Sequence, residues 1–427
     1  MCIDFNQLVE WRREFHRFPE IGWTEFWTTS RIAEYLSRMG LEILCGTQMI
    51  HPDFVRGRQL ELVNKGQQRA IDYGADRAWL AKMSGYTGCV AVFDSGKPGQ
   101  TVVLRFDIDC VNVTETDKPT HKPNQFHFRS LNEGLMHACG HDAHIAIGLG
   151  VAAWLTQHKA TLSGKVKLVF QPAEEGVRGA VAVANSGVID DANYFISSHI
   201  SFCADSGVLI SNPQHFLSTT KLDIRYRGKP AHAGAQPHLG RNALLAAAHA
   251  VTQLHGIARH GEGMTRINVG VLQAGEGRNV IPRDAHIQLE VRGENKQIND
   301  YMVEQVDQIA KGVAMSFDVE YAVDIMGEAV DMQNDDMLVQ LVEQVALQQP
   351  QIKHVHSLYP FNASEDATVL GRRVQSLGGQ ALYFILGADR TAGHHQPEFD
   401  FDESQLLTGV NIYTGLLTHL LGEKSHD

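Results

Sequence analysis

Four apolar runs, each closing on carboxylates or histidines, set the tightest limit on how this chain can fold. They are TVVLRFDID at 101–109, KVKLVFQPAEEG at 165–176, NYFISSHI at 193–200 and ALYFILGADRTAGHH at 381–395. Rich in β-branched and aromatic residues, they read as strands. Helical stretches such as HIAIGLGVAAWLTQH, 144–158, lie between the first three. Such alternation predicts an α/β fold, a mostly parallel mixed sheet with helices on both faces. Ligand sites of such sheets form at the carboxyl ends of the strands, where these polar residues stand.

At 427 residues the chain exceeds what one hydrophobic core covers, so about two domains are expected. Residues 217–331 have a logic of their own. TTKLDIRYRG, NALLAAAHAVTQLHGIA, RINVGVLQAG, AHIQLEVRGE, INDYMVEQVDQIAKGVAMS and DVEYAVDIM read as strand, helix, strand, strand, helix, strand. That βαββαβ order is the ferredoxin-like unit, here inserted into a first domain made of residues 1–216 and 332–427. Within the first domain, Phe5 to Met39 reads as two helices parted by Pro19 and Gly22, and residues 41–86 as a polar excursion with helical patches.

A formal charge of −12 without a basic run argues against nucleic acid, whose phosphates require clustered Lys and Arg. No stretch approaches 18 unbroken apolar residues and the N-terminus has no secretory pattern, so no membrane association and a cytoplasmic location are expected. The six cysteines (Cys2, Cys45, Cys89, Cys110, Cys139, Cys203) are too scattered for a disulfide scaffold. Cys139 stands apart, because it falls in MHACGHDAH, residues 136–144.

Cys139 and His141 offer a thiolate and an imidazole in one short glycine-containing turn, suited to gripping one cation or straddling two. Alone, such a pair is a weak signal, and an ordinary turn is the more frequent reading. Glu174 and Glu175 follow the strand at 165–171; they form either a solvated acidic loop or a division of labour around a cation. The second reading assigns Glu175 to the metal and Glu174 to general base and acid work. His199 and His395 close two further strands and complete a candidate dinuclear set, with His394 read as a bystander. Metal-bound imidazoles usually hand their other N–H to a carboxylate, and Asp109, ahead of Asp107, is the candidate for that task.

FHRFPEIG, RFDID, HACGHDAH, FQPAEEG, AHAGAQP, GEGRNVIP, EVRG, SEDAT and HHQPEFDFDE follow one another in that order. The ordered set resembles the amidohydrolase branch of the metallopeptidase family that contains aminoacylase, hippurate hydrolase and the indole-acetyl-amino-acid hydrolases. The resemblance spans nearly the whole chain. It implies a zinc-peptidase-like catalytic domain and two divalent ions, Mn or Zn, held by Cys139, His141, Glu175, His199 and His395, with Glu174 as the catalytic carboxylate. It further implies that His232 crosses to the partner subunit's site and stabilises a developing oxyanion there, and that Asn279 and Arg292 hold the substrate's carboxylate. A homodimer through the insert also follows from it, and a related second chain is a further candidate partner.

The expected reaction is hydrolysis of an amide between an acyl or aroyl group and an amino acid, with p-aminobenzoyl-glutamate as the leading substrate. One rival is a broader N-acyl-amino-acid hydrolase or dipeptidase; another is a non-catalytic metal-binding subunit of a larger hydrolase. The chain departs from the family pattern at Cys110-Val111-Asn112, where Ala-Leu-Pro is common, and at Gln396, where Asn is usual.

Overall fold

The computed structural model describes residues 4–422; Cys2 lies outside the described residues. The chain divides into two compact units. Among the described residues the first comprises 4–214, 332–361 and 366–422, and the second 215–331 with 362–365.

The first unit is built on an eight-stranded mixed sheet. In spatial order its strands are Glu42–Cys45, Cys89–Asp94, Lys165–Gln171, Thr101–Asp107, Tyr194–Ile200, Gln380–Leu386, Val208–Ile210 and His354–His356. The middle four pair in parallel, while the flanks join them antiparallel. Alternation along the strands fixes the two faces. Phe106 and Phe170, register partners, meet the helix His141–Gln157, whose Gly148 leaves 2.8 Å between each ring and an added Cβ. Phe195, paired with Val103 and so on the opposite face, lies with Ala381 against Gly371 of the helix Ala367–Ser376. Helices therefore cover both faces.

The His141–Gln157 helix is apolar nearly all round, as it must be when enclosed by the sheet and by the helices Phe5–Arg17, Phe26–Arg38 and Gln405–Leu421. The polar excursion forms the helices Leu60–Asp72 and Arg77–Met83.

The second unit has a four-stranded antiparallel sheet in the order Glu320–Ala329, Ser218–Arg227, Asp284–Gly293, Thr265–Ala274. With helices Ala243–His255 and Lys296–Phe317 between strands, the chain runs βαββαβ, the ferredoxin-like order. Leu222, Ile224, Tyr226, Ile287 and Val291 point toward the helices and form its core. The alternate residues, Lys221, Asp223, His286, Gln288, Glu290 and Arg292, share the sheet's polar face.

Candidate metal centre

Asp109, fully buried just beyond the Thr101–Asp107 strand, organises the turn that follows the neighbouring strand. Its Oδ1 accepts the backbone N–H of Glu174 and its Oδ2 that of Glu175, both at 3.0 Å. Its carbonyl takes the Nδ1–H of His141 at 2.9 Å, with its Oδ1 3.5 Å from the same nitrogen. That bond leaves the His141 Nε2 lone pair facing inward, 3.9 Å from Glu174 Oε2 and without a hydrogen-bond partner although buried.

His199, at the end of its strand, donates Nδ1–H to the Ile200 carbonyl at 2.7 Å, which points its Nε2 toward Cys139 Sγ at 3.5 Å. His395 has its backbone N–H tied to the Ala138 carbonyl at 2.8 Å, and its Nε2 comes within 3.1 Å of Glu175 Oε1. That oxygen is also buried, with the His395 ring as its near neighbour. The donors form two trios, Cys139–His141–His199 and Cys139–Glu175–His395, with ligand atoms in each trio within 4.8 Å of one another. The thiol belongs to both. Glu174 joins His141 and Glu175 in a third trio. Buried lone pairs left without donors are costly, and a divalent cation in each of the two trios would satisfy them with the N, O and S ligands it prefers. The donor set therefore fits a dinuclear site, with Cys139 within reach of both groups of donors.

The electrostatics are those of crowded like groups. Burial, then Glu175, pushes the Cys139 thiol up; hydrogen bonds to Cys139 and Glu175 lift His395 to about 10; burial, with His144 beside it, holds His199 well below the ordinary imidazole value.

His144 and Asp107 stand behind this set. His144 Nδ1 bonds the Asp107 carboxylate and its Nε2 accepts the Ile200 N–H at 2.9 Å, so both ring nitrogens are committed. Asp107, in turn, accepts Arg105 Nη1 at 2.7 Å, and Arg105 Nη2 reaches Asp366 at 2.9 Å. Asp107 thus makes the shorter imidazole–carboxylate bond, to a histidine outside the five donors, while the Asp109 carboxylate stands 3.5 Å from His141 Nδ1.

Two participants escape sequence reasoning. Glu25 accepts the Ala173 N–H at 2.7 Å and the Thr87 hydroxyl at 2.6 Å, and so holds the Glu174–Glu175 turn from the other side; burial and Asp109 raise its carboxyl to about 8. Its only signal is its place just beyond FHRFPEIG. His394, read as a bystander, has its Nδ1 3.5 Å from Cys139 Sγ and its ring 5.4 Å from that of His199. Adjacent histidines carry no spacing that tells them apart.

His232, Asn279 and Arg292 belong to the second unit. Exposed His232 accepts at Nδ1 from the Gly234 and Ala235 N–H groups, at 3.2 and 3.0 Å, which places its proton on Nε2. A bridge to Val280 sets Asn279 beside it, the Asn279 carbonyl accepting the Ala233 N–H at 3.0 Å. Arg292 lines a different feature, a groove of about 640 Å³ to which neither His232 nor Asn279 contributes.

The sequence pattern of Peptidase family M20/M25/M40 matches residues 103–419. A Haemophilus influenzae homolog of one subunit of p-aminobenzoyl-glutamate hydrolase is 71% identical, over 99% of this chain and 100% of its own. The indole-3-acetyl-aspartic acid hydrolase of Enterobacter agglomerans is 40% identical, over 95% and 93%. The crystal structure of an aminobenzoyl-glutamate utilization protein from Klebsiella pneumoniae shares the fold with a TM-score of 0.84 at 35% identity, covering 97% of this chain and 95% of that one.

Proposed function

The chain belongs to peptidase family M20/M25/M40 and is a metal-dependent hydrolase, and from that premise we propose that it cleaves the amide of an N-acyl or N-aroyl amino acid, foremost p-aminobenzoyl-glutamate, releasing p-aminobenzoate and glutamate. The observation that carries this reading is the pair of donor trios sharing Cys139, with Glu174 belonging to neither. The names of the relatives from Haemophilus influenzae and Klebsiella pneumoniae support the substrate.

Divalent cations, Mn²⁺ or Zn²⁺, held by Cys139, His141, Glu175, His199 and His395 would supply Lewis acidity, lowering the pKa of water and polarising the scissile carbonyl. Glu174, its backbone pinned by Asp109, takes the proton from the attacking water and returns it to the leaving nitrogen. His232, with its proton on Nε2, supplies a donor for the developing oxyanion. Asn279 and Arg292 hold the amino acid's carboxylate, Arg292 through its planar fork.

A homodimer through the second unit belongs to this reading, supported by the edge strand Thr265–Ala274, which among the described residues pairs on one side only. The five described cysteines are all free, which supports a reducing, cytoplasmic setting; among the described residues no helix is long and apolar enough to cross a membrane. The test is an assay of the purified chain, loaded with Mn²⁺ or Zn²⁺, on p-aminobenzoyl-glutamate, hippurate and dipeptides. Preference for the first supports the proposal, and a preference for hippurate or dipeptides replaces it with a broader hydrolase. A second reading rests on the Haemophilus influenzae relative, which is named for one subunit of its hydrolase: turnover only after a related chain is added would make this chain one part of a two-chain enzyme.

A further inference from the structure

The groove on the second unit has a charge arrangement that the expected role of Arg292 does not exhaust. Arg266 and Arg292 are register partners on adjacent antiparallel strands, as are Asn268 and Glu290 two steps along. All four side chains therefore rise from the same sheet face and line the groove, with Met264 and Asn362 beside them. Like charges set directly opposite each other on a sheet are destabilising, so a facing pair of arginines calls for an anion. Glu290 answers for one of them only. It takes the Nε and Nη2 edge of Arg292, at 3.1 and 3.4 Å, and leaves Nη1 open. Arg266 is exposed, and among the described residues its guanidinium donates only to the Thr265 carbonyl, at 3.4 Å; it has no carboxylate partner. In a chain of net charge −12, a cation left unanswered in a ligand-sized groove is an anion-collecting device. The planar fork of arginine matches a carboxylate in bidentate fashion.

We propose that Arg266 and Arg292 form a two-carboxylate site, in which Arg266 takes the side-chain carboxylate of the released amino acid and so selects aspartate or glutamate conjugates over neutral ones. This rests on the amidohydrolase reading above. Glu290 acts as a positioning residue that holds Arg292 in line.

Two measurements on the full chain test this separately from turnover. In calorimetric titration, L-glutamate should bind at least tenfold tighter than L-glutamine, and Arg266→Ala should remove most of that ratio, with Arg266→Lys keeping part of it; an unchanged thermal midpoint shows that the variants fold. In kinetics with the metal-loaded enzyme, Arg266→Ala should lower kcat/KM for p-aminobenzoyl-glutamate at least tenfold more than for p-aminobenzoyl-glutamine, through KM rather than kcat. Equal binding of the two amino acids by the wild type, or equal losses for both conjugates in the variant, overturns the proposal. Discrimination in binding with no hydrolysis of either conjugate would leave the groove's role intact and sink the catalytic reading instead. Hydrolysis without discrimination would do the reverse.

Discussion

Glu174 and Glu175 are neighbours in sequence with different surroundings: Glu175 faces His395 and Cys139, while Glu174 faces His141. If Glu174 handles protons, Glu174→Gln should retain both metals in elemental analysis and lose on the order of 10² to 10⁴ in kcat; near-normal turnover of the loaded variant would refute that role. Gly140, between Cys139 and His141, has φ +86°, and an added Cβ would lie 2.9 Å from Ile200 Cγ2. Gly140→Ala should cost on the order of 1–3 kcal/mol, read as a lower denaturant midpoint, and an unchanged midpoint would show that the turn relaxes freely. The donors that the structure brings near one another were legible because a thiol and an imidazole in the turn that opens the His141–Gln157 helix, with paired carboxylates just past a strand, are an unusual mixture. Glu25 was not: its work is to accept hydrogen bonds from residues 62 and 148 positions away, and no local pattern announces such a bond.

Elements joined by buried charge carry a pH dependence. Arg12 and His16 of the Phe5–Arg17 helix both reach Asp142 of the His141–Gln157 helix at 2.8 Å, and His16 also meets Glu115 at 3.1 Å. Burial alone would pull the His16 imidazole down; Glu115 and Asp142 outweigh it and lift it to about 9. A folded-state value above the unfolded value of about 6.5 gives stability that is complete below about 6.5 and lost as pH rises through 9. Urea titrations should therefore show His16→Gln well below the wild type at pH 6, with the gap narrowing toward pH 10; a constant gap would mean that His16 is neutral in the fold. The parallel core of the sheet was legible at this scale, since four long apolar runs end alike. The strands Val208–Ile210 and His354–His356 were not, because three residues are too few to display a period of two.

At the level of the molecule, the two units differ in what a cation does to them, because all five donors reside in the first. Chelation should abolish hydrolysis and lower the thermal midpoint, and Mn²⁺ or Zn²⁺ at 100 times its dissociation constant should return about 2.7 kcal/mol per site; a midpoint indifferent to metal would argue against the dinuclear assignment. The insert's βαββαβ order was legible from periodicity, whereas the addition of residues 362–365 to that unit comes from chain return and leaves no mark in composition.

The strand Gln380–Leu386 lies between Tyr194–Ile200 and Val208–Ile210 in the sheet, although both are translated well before it. A nascent chain emerging from the ribosome must therefore keep a gap open at the middle of its sheet, with raw strand edges on either side, until nearly nine-tenths of the polypeptide has been made. His395, the last donor, arrives only after that gap is closed. Premature termination between the insert and residue 380 leaves sticky edges and an incomplete ligand set, the condition in which aggregation and chaperone capture compete with folding.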